Sequence, residues 1–377
     1  MAISDRDKFL YSRRDFGKLA LAGLPVTLAL GDLKAFAAIN SKINGVQIGA
    51  ITYSFRTIPN AEDIIKAYVT IGMSEMELMS NHAEMLAGAP IPVAPAGGRG
   101  RGAAGSPPSA PPAAAPPAAP SGTPPVAVSG GAPAPATGAA PAGPPPAGRQ
   151  GGGRRVLTPE EQAEADARAE ALRKWRMAAT AATFAPVKKK IADAGIDLRI
   201  LCFNMNVKNT KDDEIEYAFM MAGALGVKAI STSTQVSMAK RTAPFADKHK
   251  MLLAFHGHDN LDNPDETATP ESFATILAAS KYHAINLDIG HFTAANFDPV
   301  PYIQEHHARI THLHLKDRKK DHGPNVPWGE GDTPIKPVLK LLQKNKWDIP
   351  GNVEFEYGGD PVAEVGKCLQ YCKETLA

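Results

Sequence analysis

The chain has 377 residues, with 41 Lys and Arg against 39 Asp and Glu. Without residues 1–37 and the Pro/Ala/Gly-rich stretch 85–155, 30 basic and 35 acidic residues remain. A net negative charge gives no electrostatic surface for a nucleic acid, which disfavours DNA and RNA as partners. The remaining length, about 270 residues, is that of one large domain.

The N-terminus predicts an export signal. Residues 12–18 (SRRDFGK) form a twin-arginine pattern, residues 19–30 are an apolar run, and residues 35–37 (AFA) form a small-x-small cleavage site. The 12-residue run is shorter than the ~20 residues that cross a bilayer. We therefore expect residues 1–37 to be a signal peptide for the twin-arginine export machinery. The mature protein is then periplasmic or secreted, with no membrane span.

Residues 87–153 form a low-complexity segment of Pro, Ala and Gly. The slightly wider stretch 85–155 contains 18 of the 33 prolines and no acidic or aromatic residue. This composition cannot bury enough apolar surface to offset the entropy lost on ordering. We predict a disordered insertion after the second strand.

Elsewhere, strand-like apolar runs alternate with segments of helical spacing. The predicted strands cover residues 46–52, 75–79, 198–203, 228–232, 251–256, 283–288, 310–315 and 353–357. The predicted helical segments cover residues 61–70, 159–194, 212–225, 270–280, 299–308, 334–344 and a last one from 361. Eight such strands predict a (β/α)8 TIM barrel over residues 45–377, interrupted by the insertion. No Gly-x-Gly-x-x-Gly follows a strand, which disfavours a dinucleotide-binding sheet.

Five predicted strands carry carboxylate, imidazole or amide side chains two residues apart. Such residues share one face of a strand, and the active site of a barrel lies at the C-terminal strand ends. They are Glu75 and Glu77; His256 and His258; Asn286 and Asp288, with His291 beyond; His312, His314 and Lys316; and Glu354 and Glu356. Burying many unpaired charges costs several kcal/mol each. The pattern therefore predicts a bound divalent cation as their counter-ion.

Carboxylate and imidazole ligands without cysteine suit Mn²⁺, Co²⁺, Zn²⁺, Mg²⁺ or Fe²⁺, and the sequence does not choose among them. The predicted ligands are His256, Asp288, His314 and a glutamate of the last strand. The residues predicted to bind substrate or to support the ligands are Glu77, His258, His291 and Lys316.

Four runs resemble the sugar phosphate isomerase/epimerase family of the xylose isomerase-like TIM-barrel, or AP endonuclease 2, superfamily. They are residues 287–291 (LDIGH), 311–317 (THLHLKD), 328–332 (WGEGD) and 353–357 (VEFEY). The resemblance covers roughly 45–86 and 156–377. It implies metal ligation by Asp288 and His314 and substrate contact by His291. It also matches Glu77 to the glutamate that ends the family's second strand, and the last-strand glutamate to Glu354 or Glu356, of which we favour Glu354.

The fifth predicted strand departs from that family pattern. Sugar 3-epimerases of the family use one glutamate on the fifth strand and one on the eighth, as ligands and as opposed proton carriers. Here residues 255–258 read Phe-His-Gly-His, so His256 replaces the first glutamate. A neutral imidazole can ligate a metal or move a proton near neutral pH. Some relatives act on 3-keto sugars or 3-keto glycosides by elimination or isomerisation.

The predicted function is that of a divalent-metal-dependent isomerase or epimerase acting on a sugar or keto-sugar. Glu354, Glu356 or His256 removes the proton next to the carbonyl, and the metal stabilises the enediolate. A 3-keto-glycoside lyase or hydratase would use the same first step. A non-catalytic sugar-binding barrel is a further alternative. Phosphodiester hydrolysis, as in the superfamily's DNA-repair endonucleases, is disfavoured by the near-neutral charge.

Overall fold

Eight parallel strands close into a barrel. The structure is a computed structural model that describes residues 39–91 and 158–377. The strands are β1 (Val46–Ile51), β2 (Glu75–Met79), β3 (Asp197–Cys202), β4 (Ala229–Thr232), β5 (Leu252–His256), β6 (His283–Asp288), β7 (Ile310–Leu315) and β8 (Gly351–Val353). Each strand pairs in parallel with the next, and β8 pairs with β1, which closes the sheet. The predicted TIM barrel is confirmed.

Helices surround this barrel. They are α1 (Ala61–Ile71), α2 (Ser80–Leu86), α3 (Pro159–Ala178), α4 (Ala181–Asp193), α5 (Asp212–Leu225), α6 (Met238–His249), α7 (Pro270–Ala279), α8 (Ile289–Ala294), α9 (Pro299–His306), α10 (Ile335–Asn345) and α11 (Pro361–Leu376). Large apolar side chains such as Tyr68, Phe184, Phe219 and Phe273 are buried in one apolar cluster with the strands. In the described ranges, no helix is both long and apolar enough to cross a bilayer.

Local sequence signals set many helix ends. The predicted N-cap Thr158 accepts from the backbone N–H of Glu161, whose side chain accepts from Thr158 in return. Gly72 and Gly226 end α1 and α5 in the left-handed conformation, at φ 82° and 75°, which a glycine adopts without steric cost.

Several elements differ from the prediction, among them the short helices α2 and α8, which were not predicted. The helical segment 159–194 is two helices, because α3 ends at Ala178 and α4 begins after Thr180. Helix α6 was not predicted, and it contains an internal Pro244. The last strand stops at Val353 instead of residue 357, because the N–H of Phe355 donates to the Ser54 hydroxyl at 2.9 Å. The carboxylates that follow Val353 therefore lie in a loop.

Most of the predicted insertion lies outside the described residues. We expect deletion of residues 92–153 to change the free energy of unfolding by less than ~2 kcal/mol, because loop closure depends only logarithmically on loop length. Urea unfolding of the deleted and full chains measures this directly. A larger loss would mean that the segment packs on the barrel.

Candidate metal centre and active site

Four side chains predicted as ligands converge at the C-terminal end of the barrel. Ligand atoms of His256, Asp288, His314 and Glu354 all lie within 4.8 Å of one another, and all four residues are buried. Strand register explains part of this convergence, since Asp288 is paired with His314 across β6 and β7, and His256 with Asn286 across β5 and β6. The structure thus brings Glu354 together with three residues that precede it in the sequence by 40 to 98 positions.

Two atoms in this cluster have no hydrogen-bond partner. His256 Nδ1 and Asp288 Oδ2 are buried, and neither makes a hydrogen bond, although Lys316 Nζ lies 3.1 Å from Asp288 Oδ2. Unpaired buried polar atoms are rare and usually mark a missing water or ion. Two imidazoles and two carboxylates are a donor set that fits a divalent cation.

His314 lies between two carboxylates. Its Nδ1 is 2.9 Å from Glu354 Oε2, and its Nε2 is 2.8 Å from Glu77 Oε2. Burial alone would lower the pKa of His314, but Glu77 and Glu354 raise it well above its usual value. The surroundings of His314 therefore favour positive charge, which a bound cation would also provide.

Glu77 lies inside the barrel and is fully buried. It accepts hydrogen bonds from the Ser231 hydroxyl, from the Asn352 amide at 3.2 Å and from His314. Burial would raise the pKa of Glu77, but His314 and His312 lower it well below its usual value. Of its two predicted roles, this position fits support of His314 better than contact with a substrate.

Lys316 is buried among three carboxylates. Its Nζ lies 2.9 Å from Glu354, 2.6 Å from Glu356 and 3.1 Å from Asp288. Burial would lower the pKa of Lys316, but these three carboxylates raise it well above its usual value. Lys316 is therefore a charged member of the site.

The two candidate glutamates after β8 have different surroundings. Glu354 belongs to the four-residue cluster, whereas Glu356 binds Lys316 and keeps 22% of its side chain exposed. Burial would raise the pKa of both carboxyl groups, but the Lys316 charge lowers both. The pKa of Glu354 lies well below its usual value, and that of Glu356 is also lowered. Burial and the Glu356 charge raise the pKa of Tyr53, a residue that the sequence analysis did not single out. The geometry favours Glu354 as the ligand.

His256 is in the form that binds a metal. Its ring centroid lies 4.7 Å from that of His314 and 4.9 Å from that of His258. Burial and the charge on His314 lower the pKa of His256 well below its usual value. A neutral imidazole with an unpaired nitrogen is suited to ligation.

His291 is held by a network that the sequence did not predict. Its Nε2 accepts from Lys316 Nζ at 3.1 Å, and its Nδ1 lies 2.9 Å from Asp259 Oδ1 and 2.6 Å from Arg318 Nη1. Asp259 also accepts from Arg318 at 2.8 Å. Burial and Lys316 lower the pKa of His291. Asp259 follows the predicted His-Gly-His run and Arg318 follows the Lys-Asp pair, so both had a sequence signal.

His258 has two partners that no sequence signal indicated. Its Nδ1 lies 2.5 Å from Glu266 Oε1, and its Nε2 lies 2.9 Å from Ser233 Oγ. Ser233 follows β4 and Glu266 lies in the loop after β5. Loop residues far apart in sequence have no periodicity that would predict their contact.

Asp317 joins two of the motifs behind the family resemblance. Its carboxylate accepts from the backbone N–H groups of Gly329, Gly331 and Thr333, at 2.8, 3.0 and 3.2 Å. A Cβ on Gly331 would overlap this carboxylate. The Trp-Gly-Glu-Gly-Asp loop is therefore fixed against the end of β7.

The opposite end of the barrel contains a separate cavity of about 270 Å³. Arg199, Lys228 and Ile310 are among its lining residues, and none of the four clustered side chains reaches it. Because barrel active sites lie at the C-terminal end, we do not assign this cavity to the reaction.

The fold and this cluster define a TIM-barrel protein with a candidate metal centre. The model of the xylose isomerase-like TIM barrel family matches residues 169–375, more than half of the chain. The chain belongs to this family, as its motifs predicted.

Individual curated proteins match only part of this chain, and solved structures match most of it at low sequence identity. L-ribulose-5-phosphate 3-epimerase UlaE of Escherichia coli is 32% identical over 92 residues, 24% of this chain and 32% of that protein. The chain therefore matches about a third of the length of its curated relatives. The probable 3-DHS dehydratase AsbF of Bacillus anthracis has a TM-score of 0.52 at 13% identity, over 86% of this chain and 97% of that one. Protein SMc04130 of Sinorhizobium meliloti has a TM-score of 0.51 at 10% identity, over 87% and 98%. These structural similarities show the fold.

Proposed function

We propose that this protein is a divalent-metal-dependent isomerase or epimerase acting on a sugar or keto-sugar. The observation that supports the proposal is the buried cluster of His256, Asp288, His314 and Glu354 at the barrel mouth, in which His256 Nδ1 has no hydrogen-bond partner. Membership of the family and the partial match to a sugar phosphate epimerase agree with it. When bound by these four residues, a divalent cation acts as a Lewis acid that acidifies the C–H next to a carbonyl.

The remaining side chains supply proton transfer and charge. Glu356 forms an ion pair with Lys316, and its side chain is partly exposed to solvent. A bound sugar could therefore reach this carboxylate, which is placed to remove a proton from it. Lys316 is placed to hold an oxygen that gains negative charge, and His291 Nε2 accepts a hydrogen bond from Lys316 and so helps to orient it. Returning the proton to the neighbouring carbon gives isomerisation, and returning it to the other face of the same carbon gives epimerisation.

Solvent deuterium incorporation tests this function. Purified protein loaded with Mn²⁺, Co²⁺ or Zn²⁺ would be incubated in D₂O with a panel of sugars, keto-sugars and 3-keto-glycosides. We expect exchange at the carbon next to the carbonyl, with isomer or epimer formation. Tight metal and sugar binding without exchange would contradict the proposal and support a non-catalytic sugar-binding barrel.

A second candidate is a lyase or hydratase on a 3-keto-glycoside. It is favoured by His256, which stands where the 3-epimerases of the family have a glutamate, and by the dehydratase name of the structural neighbour AsbF. Here the enediolate would expel a β-substituent instead of regaining a proton. An unsaturated product or a released aglycone in the same assay would identify this outcome.

His256→Ala separates ligand from proton carrier. If His256 is a ligand, we expect metal affinity to fall by about 10- to 100-fold or more, since even supporting residues have effects of that size. If it is the proton carrier, metal content survives and deuterium exchange stops. Metal analysis and exchange measured on the same sample distinguish the two roles. Full metal content together with full exchange would exclude both.

We also propose periplasmic or secreted localisation through the twin-arginine route. Residues 1–37 lie outside the described residues, so the proposal rests on the sequence pattern alone. Replacing both Arg13 and Arg14 by lysine should leave the precursor in the cytoplasm, because the export machinery recognises the paired arginines. Cell fractionation followed by immunoblotting measures this, and unchanged export would contradict the proposed route.

A further inference from the structure

The cavity of about 270 Å³ lies at the N-terminal ends of the barrel strands, opposite to the four-residue cluster. Its lining includes residues at the starts of four neighbouring strands: Ala229 in β4, Leu252 in β5, Ala284 in β6 and Ile310 in β7. The two alanines leave space that larger side chains would fill. The volume is close to the lower end of the range of about 300–1,000 Å³ that is usual for small-molecule sites.

The lining of this cavity is basic. Within the described residues, its one carboxylate is that of Asp348, and its four cationic side chains are those of Arg199, Lys228, Lys281 and Arg309. The carboxylate of Asp197 lies 3.8 Å from Arg199 Nε and adds a second negative charge nearby. Glu75 interacts with Arg199 from inside the barrel, but burial raises the pKa of Glu75 well above its usual value, so it is neutral. Four positive charges against two negative ones leave an excess that a dianion would balance.

Two of these cations converge on one carboxylate oxygen. Arg199 Nη2 and Lys228 Nζ lie 2.6 and 3.3 Å from Asp348 Oδ2. The hydrogen bond from Arg199 and the charge of Lys228 lower the pKa of Asp348. The Arg199 side chain is only 7% exposed, whereas that of Asp348 is 71% exposed. An exposed carboxylate can turn away into solvent, so an anion in the cavity can take its place on the buried guanidinium.

The contacts of the other two cations are to neutral groups. Lys281 Nζ lies 5.2 Å from the centre of the Tyr282 ring. Arg309 Nη2 donates to the backbone carbonyls of Ser280 and His283, at 3.3 and 2.6 Å. These carbonyls hold the Arg309 guanidinium in place without neutralising its charge. It is therefore positioned for a charge-assisted hydrogen bond to an anion.

Part of the cavity lining is apolar. Leu252 is 37% exposed, which few large apolar side chains are in the described ranges. Ile200 and Ile310 also line the cavity. Apolar surface combined with a few charged groups is typical of sites for organic ligands that carry a charged group.

We infer that this cavity binds a small organic dianion, a compact apolar body that carries a phosphate ester or a similar doubly charged group. The arginines and lysines hold the anionic group, and the apolar body covers Leu252. The site is at the other end of the barrel from the four clustered side chains, so it can be filled independently of the proposed reaction. A neutral sugar would leave the four cations without an anion, so this ligand is not the proposed substrate.

Phenyl phosphate is the probe for this site, because it joins a compact apolar ring to a dianionic phosphate. Isothermal titration calorimetry measures its binding to the full chain, dialysed free of divalent metal. Inorganic phosphate and phenol provide the two halves of the probe separately. We expect phenyl phosphate to bind at least about 10-fold more tightly than either half, because burial of the ring adds apolar contact area to the ion pairs.

Two variants and a matched control locate the bound probe. Lys228→Gln combined with Lys281→Gln removes two exposed cations of the lining and should weaken phenyl phosphate binding by about 10-fold or more. Asp348→Asn removes the competing carboxylate and should strengthen binding by about 5-fold. The control is Lys174→Gln combined with Lys189→Gln, because these exposed lysines lie on α3 and α4, outside the cavity. It should leave the affinity unchanged, and melting temperatures verify that each variant is folded.

Three results would overturn the inference: no binding of phenyl phosphate, equal binding of phenyl phosphate and inorganic phosphate, or equal affinities in the cavity lysine variant and its control. Vesicles of phosphatidic acid and phosphatidylcholine should not bind the protein. Vesicle binding that is lost in the cavity lysine variant would also overturn the inference, because the ligand would then be a lipid headgroup. None of these measurements needs a metal or turnover, so the inference and the proposed function can fail separately.

Discussion

Asp288→Asn should abolish tight binding of a divalent metal and remove the stabilisation that the metal gives. Asp288 is a buried carboxylate, and one of its oxygens lies within 4.8 Å of ligand atoms of three other candidate ligands. A ligand that binds only the folded state adds about 2.7 kcal/mol at 100 times its dissociation constant. We expect the wild type to gain that amount on titration with Mn²⁺ or Zn²⁺ and the variant to gain almost nothing. Isothermal titration and metal-dependent unfolding curves measure both quantities.

Asp298→Asn is the matched control for this substitution. Asp288 and Asp298 both cap a helix, with side chains that accept from the N–H groups of His291 and Val300. Asparagine caps a helix about as well as aspartate, so neither substitution should weaken its helix. Both variants lose one negative charge, but only Asp288→Asn loses it at a candidate metal ligand. Equal metal responses in both variants would remove Asp288 from the ligand set.

Lys316→Met should destabilise the metal-free protein by about 3–5 kcal/mol, the usual effect of removing one partner from a buried ion pair. The substitution leaves Asp288, Glu354 and Glu356 without the cation that lies 2.6–3.1 Å from their oxygens. A bound divalent metal would replace part of that charge. We therefore expect metal to recover more stability in the variant than in the wild type, as measured by urea unfolding with and without metal.

Lys319→Met is the control, because Lys319 is exposed and lies 3.9 Å from Asp332. Exposed ion pairs contribute only about 0–1 kcal/mol, so little change is expected. If Lys316→Met unfolds like Lys319→Met without metal, the buried carboxylates are not charged in the way proposed.

Strand periodicity made the barrel and its cluster predictable. His256, Asp288 and His314 lie at strand ends where alternation points them to one face, and parallel strands bring those ends together. The choice between Glu354 and Glu356 needed the structure. Both follow the last strand two residues apart, and only the departure of the backbone at Phe355 separates their surroundings.

The contacts made by side chains in loops could not be predicted from the sequence. Glu266 reaches His258 from a loop, and Ser233 reaches it from another, so their contact depends on tertiary packing alone. Glu77 was predicted as a site residue, but its role as the partner of His314 depends on which ring nitrogen it meets. Such pairings are set by three-dimensional distance, which residue spacing does not encode.

Gly290 limits how this site can vary. The side chain of Lys316 passes over this glycine so closely that a Cβ at position 290 would overlap it. A single methyl group on the backbone would therefore force the lysine onto another path and break its contacts with the three carboxylates. The added Cβ would also lie 2.9 Å from the backbone carbonyl oxygen of residue 316, so a shorter side chain at position 316 would remove only part of the overlap. In libraries of variants, we therefore expect position 290 to accept only glycine as long as the backbone after β7 keeps its path.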